Sequence, residues 1–367
     1  MQVEDMDLSP SSNTTSLPFE LVLYILKLAS ASSHISAENI SRVCRHARQE
    51  SLPYLFATIL ITPNKEVGAD NIPYPHFIQN LWLDLSFQDE DEIRCPQALA
   101  ECDVLSQPNL TNITHLALPT VTILAWLDCD TDTHEGPTTT LANLAQCRSL
   151  TFFRFDECLD IHDIPQTEDS LFNNITHVQL HCDDWSLSDR DHTRDRVGWL
   201  VHSLRCLTHL ALPFPEFTLT STPVGEFAPY HTTLWEANVG RTVKGRPPLE
   251  QLVMVVDWKA WVEKWARFLP EGVRRLLWVS FVQEAAATEY GGRICLVERE
   301  FGSEEGGRGG GSDYGGDLEE VVLGSEDADP CFRVAWRDSV SGGETIWDKA
   351  TKIVEAADRE YHRVFGG

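Results

Sequence analysis

Apolar residues recur along this chain in a six-residue phrase, apolar-x-x-apolar-x-apolar. It stands at Ile78/Leu81/Leu83, Ile113/Leu116/Leu118, Leu150/Phe153/Phe155, Ile175/Val178/Leu180, Leu207/Leu210/Leu212, Leu249/Leu252/Met254 and Val273/Leu276/Trp278. Three units share nearly the same words: Ile113-Thr114-His115-Leu116, Ile175-Thr176-His177-Val178 and Leu207-Thr208-His209-Leu210. The last two apolar positions alternate with period two, so each unit predicts a short strand with one buried face. Between units the spacing turns helical, at Leu141/Leu144/Ala145, at Val197/Leu200/Val201/Leu204 and at Trp258/Trp261/Val262/Trp265/Phe268/Leu269. Strand alternating with helix predicts an α/β fold of parallel strands joined by right-handed crossovers.

Ahead of the repeat, the pattern is helical throughout. Residues 1–15 are polar and Ser/Thr-rich, a disordered lead-in by composition. Pro18 suits a first helical turn, Glu20 opposes the positive helix end, and Leu21, Ile25 and Leu28 lie on one face, widened by Val22 and Leu26. Ser36 is placed to cap a second stretch in which Ile40, Val43, Cys44 and Ala47 share a face. Pro53 should end that stretch, and Tyr54–Thr62 reads as a strand. A cluster of about 45 residues buries little surface by size scaling, so it should need a partner.

The tail predicts strands at Arg293–Val297 and Cys331–Trp336, pairing across an acidic, glycine-rich loop at 302–330. A terminal amphipathic helix then follows on Ile346, Trp347, Ala350, Ile353, Val354 and Ala357, read as a cap on the last repeat.

Composition narrows the function. A formal charge of -27 repels phosphate backbones and anionic membranes, which argues against nucleic-acid or membrane binding and favours a protein partner with a basic patch. Ten cysteines without a CxxC pair read as free thiols of a cytoplasmic or nuclear protein. The Asn-x-Thr triplets at Asn109, Asn112 and Asn174 sit at predicted strands and read as chance rather than as glycosylation sites. No apolar run reaches bilayer length. His115, His177 and His209 come from different rungs, so they read as a ladder of surface or capping histidines and not as a metal site. The Gly306–Gly311 run lacks phosphate-loop spacing, and no catalytic motif or cofactor signature stands out.

Leu17-Pro18-Phe19-Glu20-Leu21-Val22-Leu23-Tyr24-Ile25-Leu26, followed by Ser41-Arg42-Val43-Cys44-Arg45, resembles the F-box, and the Leu52–Phe56 exit and the chain's ending are similar to those of fungal F-box-like proteins. That resemblance implies that residues 16–62 dock a Skp-type adaptor, and through it a cullin, with Leu17, Pro18, Leu21, Ile25, Leu26, Val43 and Cys44 at or beneath the contact. An aromatic that the family places soon after the Val-Cys-Arg segment is replaced here by Ala47 and Arg48. Residues 72–285 resemble an irregular leucine-rich-repeat-like solenoid with a parallel sheet; an open doubly wound sheet is the structural rival. In a solenoid the x positions share one open face, which nominates Trp82, His115, Arg154, His177, Gln179 and His209 as target-binding residues.

The expected function is a non-catalytic substrate-recognition subunit of a Skp/cullin/F-box ubiquitin ligase. A ubiquitin-independent scaffold or sensor whose first helices merely cap the repeat is the alternative, and an α/β enzyme without a recognisable motif is the third possibility.

Overall fold

The computed structural model describes residues 17–61, 74–83, 110–119, 144–153, 171–181, 201, 204–213, 223–256, 258, 262–286, 293–298 and 330–365. Arg154, the helical stretches around Leu141 and Val197–Leu200, the lead-in and the acidic loop lie outside them. The chain divides into two compact units, meeting at Leu55 and Phe56.

The first unit is three helices: α1 (Phe19–Ser32), α2 (His34–Ser41) and α3 (Arg45–Leu55). The single second stretch expected from the sequence is therefore two helices, broken at Arg42–Cys44. Ser33, rather than Ser36, caps α2, its hydroxyl accepting from Ser36 N at 3.1 Å. Cys44 Sγ accepts from Ala47 N at 3.4 Å and starts α3. Pro53 lies inside α3 and does not end it.

The second unit is built on eight strands: β1 (Thr58–Ile61), β2 (Asn80–Leu83), β3 (His115–Pro119), β4 (Ser149–Phe153), β5 (His177–Leu180), β6 (His209–Pro213), β7 (Gln251–Val256) and β8 (Arg293–Glu298). They form one sheet in chain order, and every neighbouring pair is parallel. A doubly wound sheet reverses its order at a switch point; this order never reverses. Among the described residues, the longer helices of this unit are α4 (Pro223–Val243), α5 (Glu271–Ala285), α6 (Pro330–Val340) and α7 (Ile346–Phe365).

The register explains the repeated phrase. Ile59, Leu81, Leu116, Leu150, Val178, Leu210, Leu252 and Ile294 align across the sheet, as do Ile61, Leu83, Leu118, Phe152, Leu180, Leu212, Met254 and Leu296. These two rows form the main core together with the first residue of each phrase, Ile78, Ile113, Ile175, Leu207 and Leu249.

Two units of the sequence pattern are corrected. Leu150, not Phe153, pairs with Leu116, so the third unit is Cys147/Leu150/Phe152; Phe153 then points to the opposite face. Val273, Leu276 and Trp278 belong to α5, which follows Pro270 and opens on Glu271. A short apolar run fits either period, and the Pro-Glu helix start decides it.

In the tail, Arg293–Val297 is a strand, but it pairs with β7 and not across the loop. Cys331–Trp336, expected as a strand, lies in α6, where Pro330 occupies the first position and Phe332, Trp336 and Val340 recur every four residues. A glycine turn ends α6: Gly343 N donates to Asp338 O at 2.8 Å and Gly342 takes φ 95°. The terminal helix is present as α7, which packs on β8, β7 and α5.

Candidate docking surfaces

The three N-terminal helices invert the usual arrangement of large and small residues. Their buried positions are Ser30, Ala37, Ala47 and Ser51. Small residues let the helices approach closely. The large apolar side chains face outward: Leu17, Phe19, Leu21 (48% exposed), Tyr24, Ile25 (52%), Leu28, Ile35 and Val43 (68%). Leu21, Tyr24, Ile25 and Leu28 follow helical spacing, so they form one stripe along α1, and Leu17 is exposed just ahead of it. Phe19 sets its ring edge-on to His46 of α3, 5.5 Å between centroids.

Of the residues expected at an adaptor contact, Leu17, Pro18, Leu21, Ile25, Val43 and Cys44 are exposed and Leu26 is half-buried. Leu28, placed on the same apolar face by the sequence, is exposed with them; Phe19, Tyr24 and Ile35 belong to the same exposed set and were not expected at the contact. The i, i+3 spacing from Leu21 would have found Tyr24. Monomeric proteins seldom leave this many large apolar side chains together in water.

The face expected to be open on the sheet is partly covered by the chain itself, which corrects the placing of Trp82 on an open surface. Trp82 is 0% exposed. Its indole stacks on Phe153 (4.3 Å, 8°) and meets Trp336 of α6 edge-on at 5.2 Å. Leu60, Ala117, Phe332 and Val340 complete this second, smaller core. His177 and His209 are half-buried and stacked at 4.3 Å, with Trp347 of α7 edge-on to both rings at 5.5 and 5.3 Å. Gln179 is half-buried on the same face, His115 lies two strands from His177, and Arg154 falls outside the described residues.

The Thr-His pairs have a structural job. Thr114, Thr176 and Thr208 each donate their hydroxyl to a carbonyl of the preceding rung, at 3.1–3.2 Å. The same oxygens lie 2.8–2.9 Å from Nδ1 of His115, His177 and His209. A hydroxyl has one proton, so the imidazole is the donor, which puts a proton on Nδ1 of each ring. Burial holds all three histidines below their ordinary range, and His177, with His209 and His115 nearby, falls to about 4. The Asn-Ile-Thr triplets are likewise structural. Asn112 Nδ2 donates to His76 O (2.7 Å) and Asn174 Nδ2 to Ala145 O (3.1 Å), each tying its rung to the turn of the previous one.

A cleft of about 480 Å³ lies beside α5, lined by Trp258, Val262, Glu263, Glu271, Arg274, Arg275 and Trp278. Its two arginines are paired within the chain, Arg274 with Glu271 at 2.9 Å and Arg275 with Glu360 at 3.8 Å. Trp258 is half-buried against Trp278 at 4.9 Å. Among the described residues no group of three His, Cys, Asp or Glu could hold a metal ion, and no helix is long and apolar enough to cross a membrane. Comparison with protein-family models, with curated proteins and with solved structures returns no match.

Proposed function

We propose that this chain is the substrate-recognition subunit of a Skp/cullin/F-box-type ubiquitin ligase, acting in the cytoplasm or nucleus. In this reading the α1–α3 unit docks a Skp-type adaptor, and the second unit, an irregular leucine-rich-repeat-like stack, selects a target protein. The chain supplies proximity; ubiquitin transfer belongs to other subunits. One observation carries the proposal: the N-terminal helices bury serine and alanine while leaving Leu21, Tyr24, Ile25, Leu28 and Val43 in water. That is the arrangement of an interface whose other half is a different protein. The F-box resemblance of residues 17–26 and 41–45 names the kind of partner, and the resemblance is the only support for that name.

The test is copurification of the tagged full chain with endogenous Skp-type adaptor. Wild type should retain the adaptor, and Leu21→Asp with Ile25→Asp should lose it at an unchanged melting temperature, because both side chains already face water. Absence of the adaptor from the wild-type eluate would leave the ubiquitin-independent scaffold as the better reading.

A further inference from the structure

Helix α6 lies across the sheet face that carries Leu60, Trp82, Ala117 and Phe153, from β1 to β4, and reaches His181 just beyond β5. It presents Phe332, Trp336 and Val340 at four-residue intervals. Phe332 stacks on His181 with centroids 3.6 Å apart and planes within 4°, and Trp336 is 4% exposed. Asn80 Nδ2 donates to Val340 O at 3.3 Å and to Thr58 Oγ1 at 2.9 Å, tying the end of the helix to the sheet edge. The contact is therefore aromatic side chains laid into an aromatic-walled trough, and it has a defect. Trp82 Nε1 is fully buried under α6 and has no hydrogen-bond partner among the described residues.

A buried, unpartnered N–H disfavours the closed arrangement by roughly tenfold or more against one in which an acceptor meets it. An incoming helix that repeats the aromatic spacing of α6 and also brings an oxygen to Trp82 Nε1 gains what α6 forgoes. We propose that this trough is a docking surface for an amphipathic helix of a partner protein, with aromatic residues at i and i+4 and a carbonyl or carboxylate placed against Trp82, and that α6 is its built-in occupant. The chemistry of the partner is read from α6, which shows what the trough accepts. The adaptor surface on α1–α3 plays no part in the argument, so either proposal can fail alone.

The experiment uses the full-length chain and a fluorescent synthetic peptide of residues 328–342. Wild type and the Phe332→Ala/Trp336→Ala double variant are titrated by anisotropy. The variant should bind the peptide at least about tenfold more tightly than wild type, and a peptide carrying the same two alanines should not bind. Equal affinity, or no binding to either, overturns the proposal. Loss of a cooperative unfolding transition in the double variant also overturns it, since α6 would then be an integral part of the core. Hydrogen exchange on the wild type needs no variant: α6 amides should exchange through local opening, well before those of β3–β6. Exchange of α6 only with global unfolding contradicts the proposal. A concentration-dependent dimer in light scattering would assign the trough to α6 of a second copy, and would overturn the partner assignment.

Discussion

Arg241 is the most constrained charged residue described. It is 0% exposed in α4, and its guanidinium donates to the carbonyls of Val201, Leu204 (2.9 Å), Arg205 (3.1 Å), Leu207 (2.7 Å) and Pro247 (2.6 Å). Burial is the main reason that its pKa falls to about 10, which still leaves it charged at neutral pH. These carbonyls lie on the approach to β6 and the turn after α4, so one side chain satisfies backbone that the sheet cannot. Arg241→Met should cost about 3 kcal/mol or more in chemical denaturation, because several buried acceptors lose their donor together. Nothing in the sequence singled it out, since an arginine in a helix reads as exposed unless the carbonyls around it are known.

The histidines make a pH prediction. The folded state holds His177 near pKa 4, while an unfolded histidine titrates near 6.5. Between those values the unfolded chain binds more protons, so the stability contributed by the neutral ring is complete above about pH 6.5 and declines as pH falls toward 4. His177→Phe keeps the aromatic contact with Trp347 but cannot titrate. Its unfolding midpoint should therefore fall less than that of wild type between pH 6.5 and 4.5; identical pH profiles would show that the ring is not held neutral. The repeated Thr-His words were visible in the sequence, whereas their purpose, a hydroxyl clasped between a neighbouring rung and an imidazole, needed the parallel register.

At the scale of elements, α7 depends on a reciprocal cap. Asp348 Oδ2 accepts from Thr345 N (3.1 Å) and Thr345 Oγ1 (2.7 Å), and Asp348 N donates to Thr345 Oγ1 at 3.2 Å. These bonds hold the Asp348 carboxyl below its ordinary range. Thr345→Ala should destabilise the chain by about 1 kcal/mol in thermal or chemical unfolding.

The elements legible in the sequence were those with one clear period: α1, five of the seven strand phrases and the terminal helix. Those misread had two periods at once. Val273–Trp278 and Cys331–Trp336 each offer alternating apolar residues, and in both cases a proline at the helix start, Pro270 or Pro330, outweighs the alternation. The fourth strand slipped by three residues because Phe153 looks like core. It is core, but of the small cluster on the other face of the sheet.

At the scale of the molecule, parallel strands in chain order followed from alternation of strand and helix phrases. The covered face did not, because α6 returns to β1–β4 from more than 170 residues away in the chain. The exposed face of α1 was legible for the same reason that it is exposed: an apolar stripe on helices with small residues inside leaves its large side chains outside. Division at Leu55 and Phe56 predicts that residues 56–367 keep a cooperative unfolding transition when the first unit is removed. Aggregation of that fragment would favour the view that α1–α3 cap the sheet.

The most direct test of the account is titration of purified full-length chain with a purified Skp-type adaptor by calorimetry, followed by hydrogen exchange on the mixture. The account predicts a one-to-one complex with negative heat-capacity change, protection confined to α1–α3, and loss of binding on Leu21→Asp with Ile25→Asp. No heat and no protection in α1, with a folded chain and an active adaptor, would contradict it.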